Sequence, residues 1–285
     1  MWLSGVITHT RAVSCAHACR SSCKDLCSSG GGTVARCASS SIPIRRSRRS
    51  RAPPSPTSTS SWSPATARAS PRSPPCRTAI RPGILVLPDV RGLYGFYEEL
   101  ALRFAELGHP ALAIDYFGRT AGADRRGDDL EFAEHVAATT PEGIRDDVAA
   151  AVAALRDRGA PSVLAVGFCF GGRQAWLAAA DGHGLAGAVG FYANPGERNG
   201  APGPTQRAAD LEAPILALQA GADQNITAEM NEAFEQALTD AGVEHELVTY
   251  EGAPHSFFDR RYEEFDEASE DAWRRVLEFL ETHSA

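Results

Sequence analysis

Residues 163–166 are a short apolar run, followed at once by Gly167-Phe168-Cys169-Phe170-Gly171-Gly172 and then by residues at helical spacing. Glycines placed two before and two after a central residue, between a strand and a helix, match G-x-S-x-G with Cys in place of Ser. Such a segment has little freedom: the strand must end in a sharp turn that holds its central residue, strained, above the sheet before the helix begins. The helix N-terminus behind Cys169 favours an anion and offers backbone N–H groups to one. An ordinary free cysteine would be a small buried hydrophobe, a reading that leaves the flanking glycines without a purpose. A dinucleotide reading also fails, because G-x-G-x-x-G is not matched and no acid follows a second strand at the right distance.

The rest of the chain from Arg81 repeats the same alternation. Residues 83–88 form an apolar run that ends in Pro88 and Asp89, as a buried parallel strand does where it feeds a loop. Tyr97, Leu100, Ala101, Phe104 and Leu107 make a helical face closed by Gly108. Residues 111–115 read as a strand. Thr140 and Pro141 supply an N-cap and an N1 proline to a helix whose inner face is Ile144, Val148, Val152 and Leu155. A helix is expected over 173–180 and strands over 185–192, 215–219 and 246–250. Helices carrying Met230, Phe234 and Leu238, and then Trp273, Val276 and Leu280, complete the series. About six strands alternating with five or six helices predict an α/β domain with a mostly parallel sheet covered on both faces. Ligands in such sheets bind at the carboxyl ends of the strands.

Three residues stand just past strands in an order that suits acyl transfer. A thiol nucleophile needs a base within hydrogen-bond reach and a carboxylate to orient that base. Cys169 follows the strand at 163–166, Asp223 follows 215–219, and His255 follows 246–250 in Gly252-Ala253-Pro254-His255-Ser256-Phe257. Alone, Asp223 reads as a turn or capping acid ahead of Thr227, and His255 as a surface residue. Their joint placement with Cys169 selects the catalytic reading.

These motifs, with Leu87-Pro88-Asp89-Val90-Arg91-Gly92, resemble the dienelactone hydrolase family, the carboxymethylenebutenolidase-like branch of the α/β-hydrolases, from Gly83 to about Leu280. The resemblance implies an α/β-hydrolase fold and hydrolysis of an enol-lactone or activated ester through a thioester acyl-enzyme, with no metal or organic cofactor and a small-molecule substrate as partner. It implies a catalytic trio of Cys169, Asp223 and His255, with backbone N–H groups of Phe170 and Val90 as oxyanion donors. Two departures bear on substrate. Where the family has Gln-Glu, this chain has Pro88-Asp89; where it has an arginine four residues after the His, this chain has Asp259, with Arg260 one further on. Asp89, Arg91 and Arg260 are the candidate substrate-binding residues, while Arg173, in the helix after Cys169, is expected to face solvent. A general carboxylesterase on the same three residues and a non-enzymatic thiol sensor are the competing functions. The strands that open the domain in the family are unrecognisable here, which predicts an exposed sheet edge.

Charge divides the chain into two segments. Residues 1–80 hold twelve basic side chains against Asp25, whereas residues 81–285 hold 16 basic and 35 acidic ones. A body so acidic repels phosphate backbones and anionic lipid surfaces, so nucleic acid and membrane are excluded as partners of the main domain. The first 80 residues are rich in Ser, Pro and Arg, lack Phe and Tyr, and show no lasting apolar periodicity. Such a segment cannot offset its ordering entropy by burial, and disorder is expected. A thiol stripe at Cys15, Cys19, Cys23 and Cys27, a polyanion-binding run at 45–51, and an organelle transit peptide are sharper readings of it. A frame error or misassigned start is the origin we expect. Cys169 is the one cysteine after Cys76, so the body has no internal disulfide partner, which fits a reducing cytoplasm.

Overall fold

The computed structural model describes residues 81–284 apart from 123–125 and 128–129. The readings made for residues 1–80 therefore lie outside the described residues.

The strands β1 (Gly83–Leu87), β2 (Ala111–Ala113), β3 (Val163–Phe168), β4 (Gly187–Phe191), β5 (Ile215–Ala220) and β6 (His245–Tyr250) form one sheet in the order β2-β1-β3-β4-β5-β6. Every neighbouring pair is parallel. β1, β3, β4 and β5 are buried at all positions, which is why they read as continuous apolar runs instead of alternating ones: both faces are covered by helices. β2 and β6, the outer strands among the described residues, keep partly exposed positions. The chain moves outward from β1 to β2 and then returns to the other side of β1 as β3. This reversal opens a crevice at the carboxyl ends of β1 and β3, the place where open parallel sheets bind ligands.

The helices α1 (Gly95–Glu106), α2 (Phe132–Ala137), α3 (Pro141–Asp157), α4 (Phe170–Ala178), α5 (Ala228–Ala241) and α6 (Asp266–Thr282) supply the covering layers. α3 buries Ile144, Val148, Val152 and Leu155, the face anticipated from its spacing. The Thr140 side chain accepts a hydrogen bond from the Gly143 N–H at 3.1 Å, with Pro141 at the first helical position. α6 turns Trp273, Val276 and Leu280 inward and leaves its acidic residues outside. None of the described helices is long and apolar enough to cross a membrane.

Strand ends such as those of β4, expected over 185–192, shift by one or two residues, and three larger differences have a physical reason. α4 begins at Phe170, three residues earlier than expected, because the chain enters the helix directly from Cys169. β2 ends at Ala113, because Asp115 turns to accept hydrogen bonds from the Phe117 N–H and from Arg126. α2 was not anticipated, and it buries no residue, so it carries no apolar stripe to read.

The Thr140 cap supports a stability prediction. Thr140→Ala leaves the Gly143 N–H without its side-chain acceptor and should lower the unfolding free energy by about 1 kcal/mol, seen as a lower urea midpoint at unchanged slope.

Candidate active site

Cys169 links β3 to α4 with φ 52° and ψ −112°, a conformation that a residue with a Cβ rarely adopts. The flanking glycines make it possible. A Cβ on Gly167 would stand 2.1 Å from the Gly171 carbonyl oxygen, and one on Gly171 would stand 2.2 Å from the carbonyl oxygens of Leu87 and Pro88. Real side chains do not tolerate such distances, so the turn closes only with glycine at both positions. The second contact also presses the start of α4 against the end of β1. Phe170 and Val90, the residues that follow the two strand ends, thereby come to the same side of the crevice. Neither of their backbone N–H groups has a partner among the described residues.

His255 lies in the loop between β6 and α6, where its Nδ1–H donates to Asp223 Oδ2 at 2.5 Å. The Asp223 carboxylate is almost wholly buried and divides its oxygens between two tasks. Oδ2 takes the imidazole, while Oδ1 accepts the N–H groups of Asn225 at 2.8 Å and Ile226 at 3.3 Å. The turn role and the imidazole-orienting role are thus filled by one side chain. Burial acts to raise the Asp223 pKa, but the hydrogen bonds from His255 and from the Asn225 N–H outweigh it and hold the carboxyl below its usual range. Burial likewise disfavours the imidazolium of His255. Hydrogen bonding to Asp223 and to Cys169, together with the charges of both, overrides burial and pushes the pKa up to about 10. The structure therefore brings Cys169, His255 and Asp223 together across three loops, in a setting that can hold a proton on the imidazole beside a sulfur.

Tyr192 completes the surround. It follows β4 at φ 35°, is fully buried, and lays its ring 5.0 Å from that of His255. Its hydroxyl donates to Asp259 Oδ1 at 3.0 Å. Below it, Phe168 and Phe191 stand opposite each other in the β3–β4 register and stack at 4.6 Å. The sequence offered no sign of Tyr192 beyond its place as the last residue of an expected strand, and end-of-strand position was the one signal that could have singled it out.

The three arginines considered as substrate contacts or bystanders have different fates. Arg91 is engaged twice: its Nε donates to both oxygens of Asp89, at 3.0 and 2.8 Å, and its Nη2 bonds Asp259. Its guanidinium also lies 4.8 Å from the Tyr94 ring. Asp89, buried, accepts the Arg91 backbone N–H at 2.8 Å as well, so this carboxylate is directed to Arg91. Arg260 is exposed and makes no side-chain hydrogen bond or ion pair with a described residue. Arg173 corrects the expectation that it faces solvent. It is buried, and its guanidinium donates to the carbonyls of Asn194, Gly196 and Pro202, because α4 packs directly beneath the loop that follows β4.

A profile of the Dienelactone hydrolase family matches residues 67–284. A carboxymethylenebutenolidase of Rhodococcus opacus is 33% identical over 210 residues, spanning 70% of this chain and 81% of that protein. A provisionally named carboxymethylenebutenolidase of Yersinia pestis is 32% identical over 217 residues, 74% of this chain and 81% of its own length. The crystal structure of a provisionally named dienelactone hydrolase from Klebsiella pneumoniae superposes with a TM-score of 0.62 at 27% identity, covering 73% of this chain and 89% of that one.

The titration of His255 can be followed directly by NMR of a labelled imidazole. Asp223→Asn removes the negative charge that favours the imidazolium and leaves only a neutral amide acceptor, so the titration should fall from about 10 towards the ordinary 6.5. The stability that this interaction contributes is complete below pH 6.5 and is lost as pH rises through about 10. The stability difference between Asp223→Asn and the parent chain should accordingly shrink over that alkaline range. An unmoved titration would show that another group holds the proton.

Proposed function

The chain belongs to the dienelactone hydrolase family, hydrolases of ester and lactone bonds, and from that premise we propose that Cys169, His255 and Asp223 carry the reaction through a thioester acyl-enzyme. The observation that carries this reading is the meeting of a backbone-strained cysteine at the end of β3 with an imidazole already tied to a buried carboxylate.

In the first half-reaction His255 takes the thiol proton and the Cys169 sulfur attacks the carbonyl carbon of an enol-lactone or activated ester. The carbonyl oxygen becomes an oxyanion, which the N–H groups of Phe170 and Val90 receive; donors fixed in advance at that point need no reorganisation as charge develops. The carbon–oxygen bond to the leaving group then breaks, the leaving oxygen takes the proton from His255, and a thioester remains on Cys169. In the second half a water molecule gives a proton to His255 and attacks the thioester. The oxyanion collapses with release of a carboxylic acid, and the sulfur recovers its proton from the imidazolium. Asp223 keeps the imidazole oriented throughout and stabilises its charged form without itself being protonated. The reading includes a cytoplasmic location, since a lone thiol in the body stays a thiol in a reducing compartment.

Turnover of p-nitrophenyl acetate by the full chain tests the proposal. Cys169→Ala should reduce kcat by roughly four orders of magnitude while the circular dichroism spectrum is kept. Asp223→Asn should lower kcat by roughly two orders of magnitude or more with a smaller change in KM. A thiol sensor would be alkylated at Cys169 yet never turn over ester, and unchanged turnover in Cys169→Ala would end the thiol-enzyme reading.

A further inference from the structure

The catalytic reading leaves open which acyl groups the site admits, and the charges around Cys169 bear on that choice. The guanidinium nearest the strand ends is Arg91, adjacent to Val90. A free arginine there would hold a substrate carboxylate through paired N–H donors. Arg91 instead spends its donors on two buried carboxylates, Asp89 at the end of β1 and Asp259 in the loop that carries His255. Asp259 is fixed in turn by the Tyr192 hydroxyl, so the arrangement is locked from both sides. The Asp259 carboxyl is itself raised by burial and by the neighbouring Asp89. Arg91 and the Tyr192 hydroxyl act against that rise, and because Asp89 alone balances Arg91, the negative charge left over for repulsion is that of ionised Asp259.

Of the other arginines near these strand ends, Arg260 is exposed and has no side-chain hydrogen bond or ion pair among the described residues, whereas Arg119 and Arg126 are paired. Among the described residues, Arg119 forms a two-pronged pair with Asp147 at 2.7 and 2.5 Å, and Arg126 bonds Asp115 at 2.5 Å. The polar group left on the β2 side is uncharged. It is the Tyr116 hydroxyl, buried and without a hydrogen-bond partner, on a ring packed edge-on against Phe170 at 5.3 Å. Such a hydroxyl offers no charge to a carboxylate.

Building on the catalytic reading above, we propose that Asp89 and Asp259, by jointly holding Arg91, make the site select uncharged acyl groups: its substrates are neutral lactones or esters, and carboxylate-bearing ones are turned away. The device is a repulsive one. A like charge placed against the unwanted substrate separates it from the accepted one more sharply than extra contacts to the accepted one would.

The purified full-length chain with two probes of similar size, p-nitrophenyl butyrate and the mono-p-nitrophenyl ester of succinic acid, provides the test. The neutral ester should be preferred in kcat/KM by about tenfold or more. Asp259→Asn leaves Arg91 with one carboxylate fewer and should move the ratio of kcat/KM, succinate ester over butyrate, upward by about tenfold. Using the ratio cancels any effect that the substitution has on His255 through Tyr192. A measurement on the parent chain stands even if that variant does not fold. Raising the salt from roughly 10 mM to roughly 500 mM screens exposed charges, so KM for the succinate ester should fall if the site repels it. KM would climb instead if an arginine, Arg91 or Arg260, were holding the carboxylate. Preference for the succinate ester, a KM that climbs with salt, or an Asp259→Asn ratio that stays put would each overturn the substrate inference while leaving the catalytic reading intact. Butyrate turnover that survives in Cys169→Ala would overturn that reading and the inference with it.

Discussion

A cysteine can stand at φ 52° between a strand and a helix only where the backbones around it come closer than side chains permit. Gly167 against the Gly171 carbonyl, and Gly171 against the carbonyls of Leu87 and Pro88, are those approaches. The rest of the site depends on them. They hold Cys169 at the turn between β3 and α4, set the N-terminus of α4 behind it, and bring the end of β1 alongside. Strain of this kind costs on the order of 1–3 kcal/mol per residue and persists when its surroundings determine it. Here those surroundings are four strands buried at every position.

Electrostatics then acts on a frame whose inner strands are buried at every position. The body is strongly acidic, yet its buried carboxylates near the site each have a cation or N–H donors. Asp223 faces His255 and two backbone N–H groups, and Asp89 and Asp259 share Arg91. Both arrangements reach from one loop to another. Asp223–His255 ties the loop after β5 to the loop after β6, and Asp89–Arg91–Asp259 ties the loop after β1 to that same His255 loop. Buried charges are costly unless well paired, so removing a single partner from either link leaves a buried charge uncompensated and destabilises it. The loops around Cys169 are held at their far ends by interactions that also set the local charge. Arg173 does similar work on the loop after β4 through three carbonyl acceptors.

The family relationship and the site geometry bear on different questions. Similarity over most of the chain establishes the class of bond cleaved. It does not reach the details in which this chain departs, Asp89 and Asp259. At those positions the physical surroundings matter more than ancestry, because a guanidinium already balanced by buried carboxylates behaves differently towards an anion from a free one.

Much of this was legible in the residues themselves. The apolar runs of the buried strands, the Thr140–Pro141 start of α3, the glycine-flanked Cys169, and the positions of Asp223 and His255 just past strands are local patterns, written in neighbouring residues because local backbone geometry demands them. Other features had no such trace. α2 buries nothing and so carries no periodicity. Arg173 looks like any helical arginine until the loop after β4 is laid over it. Arg91 and Asp259 are separated by 168 positions, and a side-chain contact between residues so distant leaves no spacing to read. The sequence alone determined that Cys169, Asp223 and His255 each follow a strand, because turns at strand ends obey local rules. The tertiary structure alone decided which charges are free and which are spent, because that depends on what the fold packs against each of them.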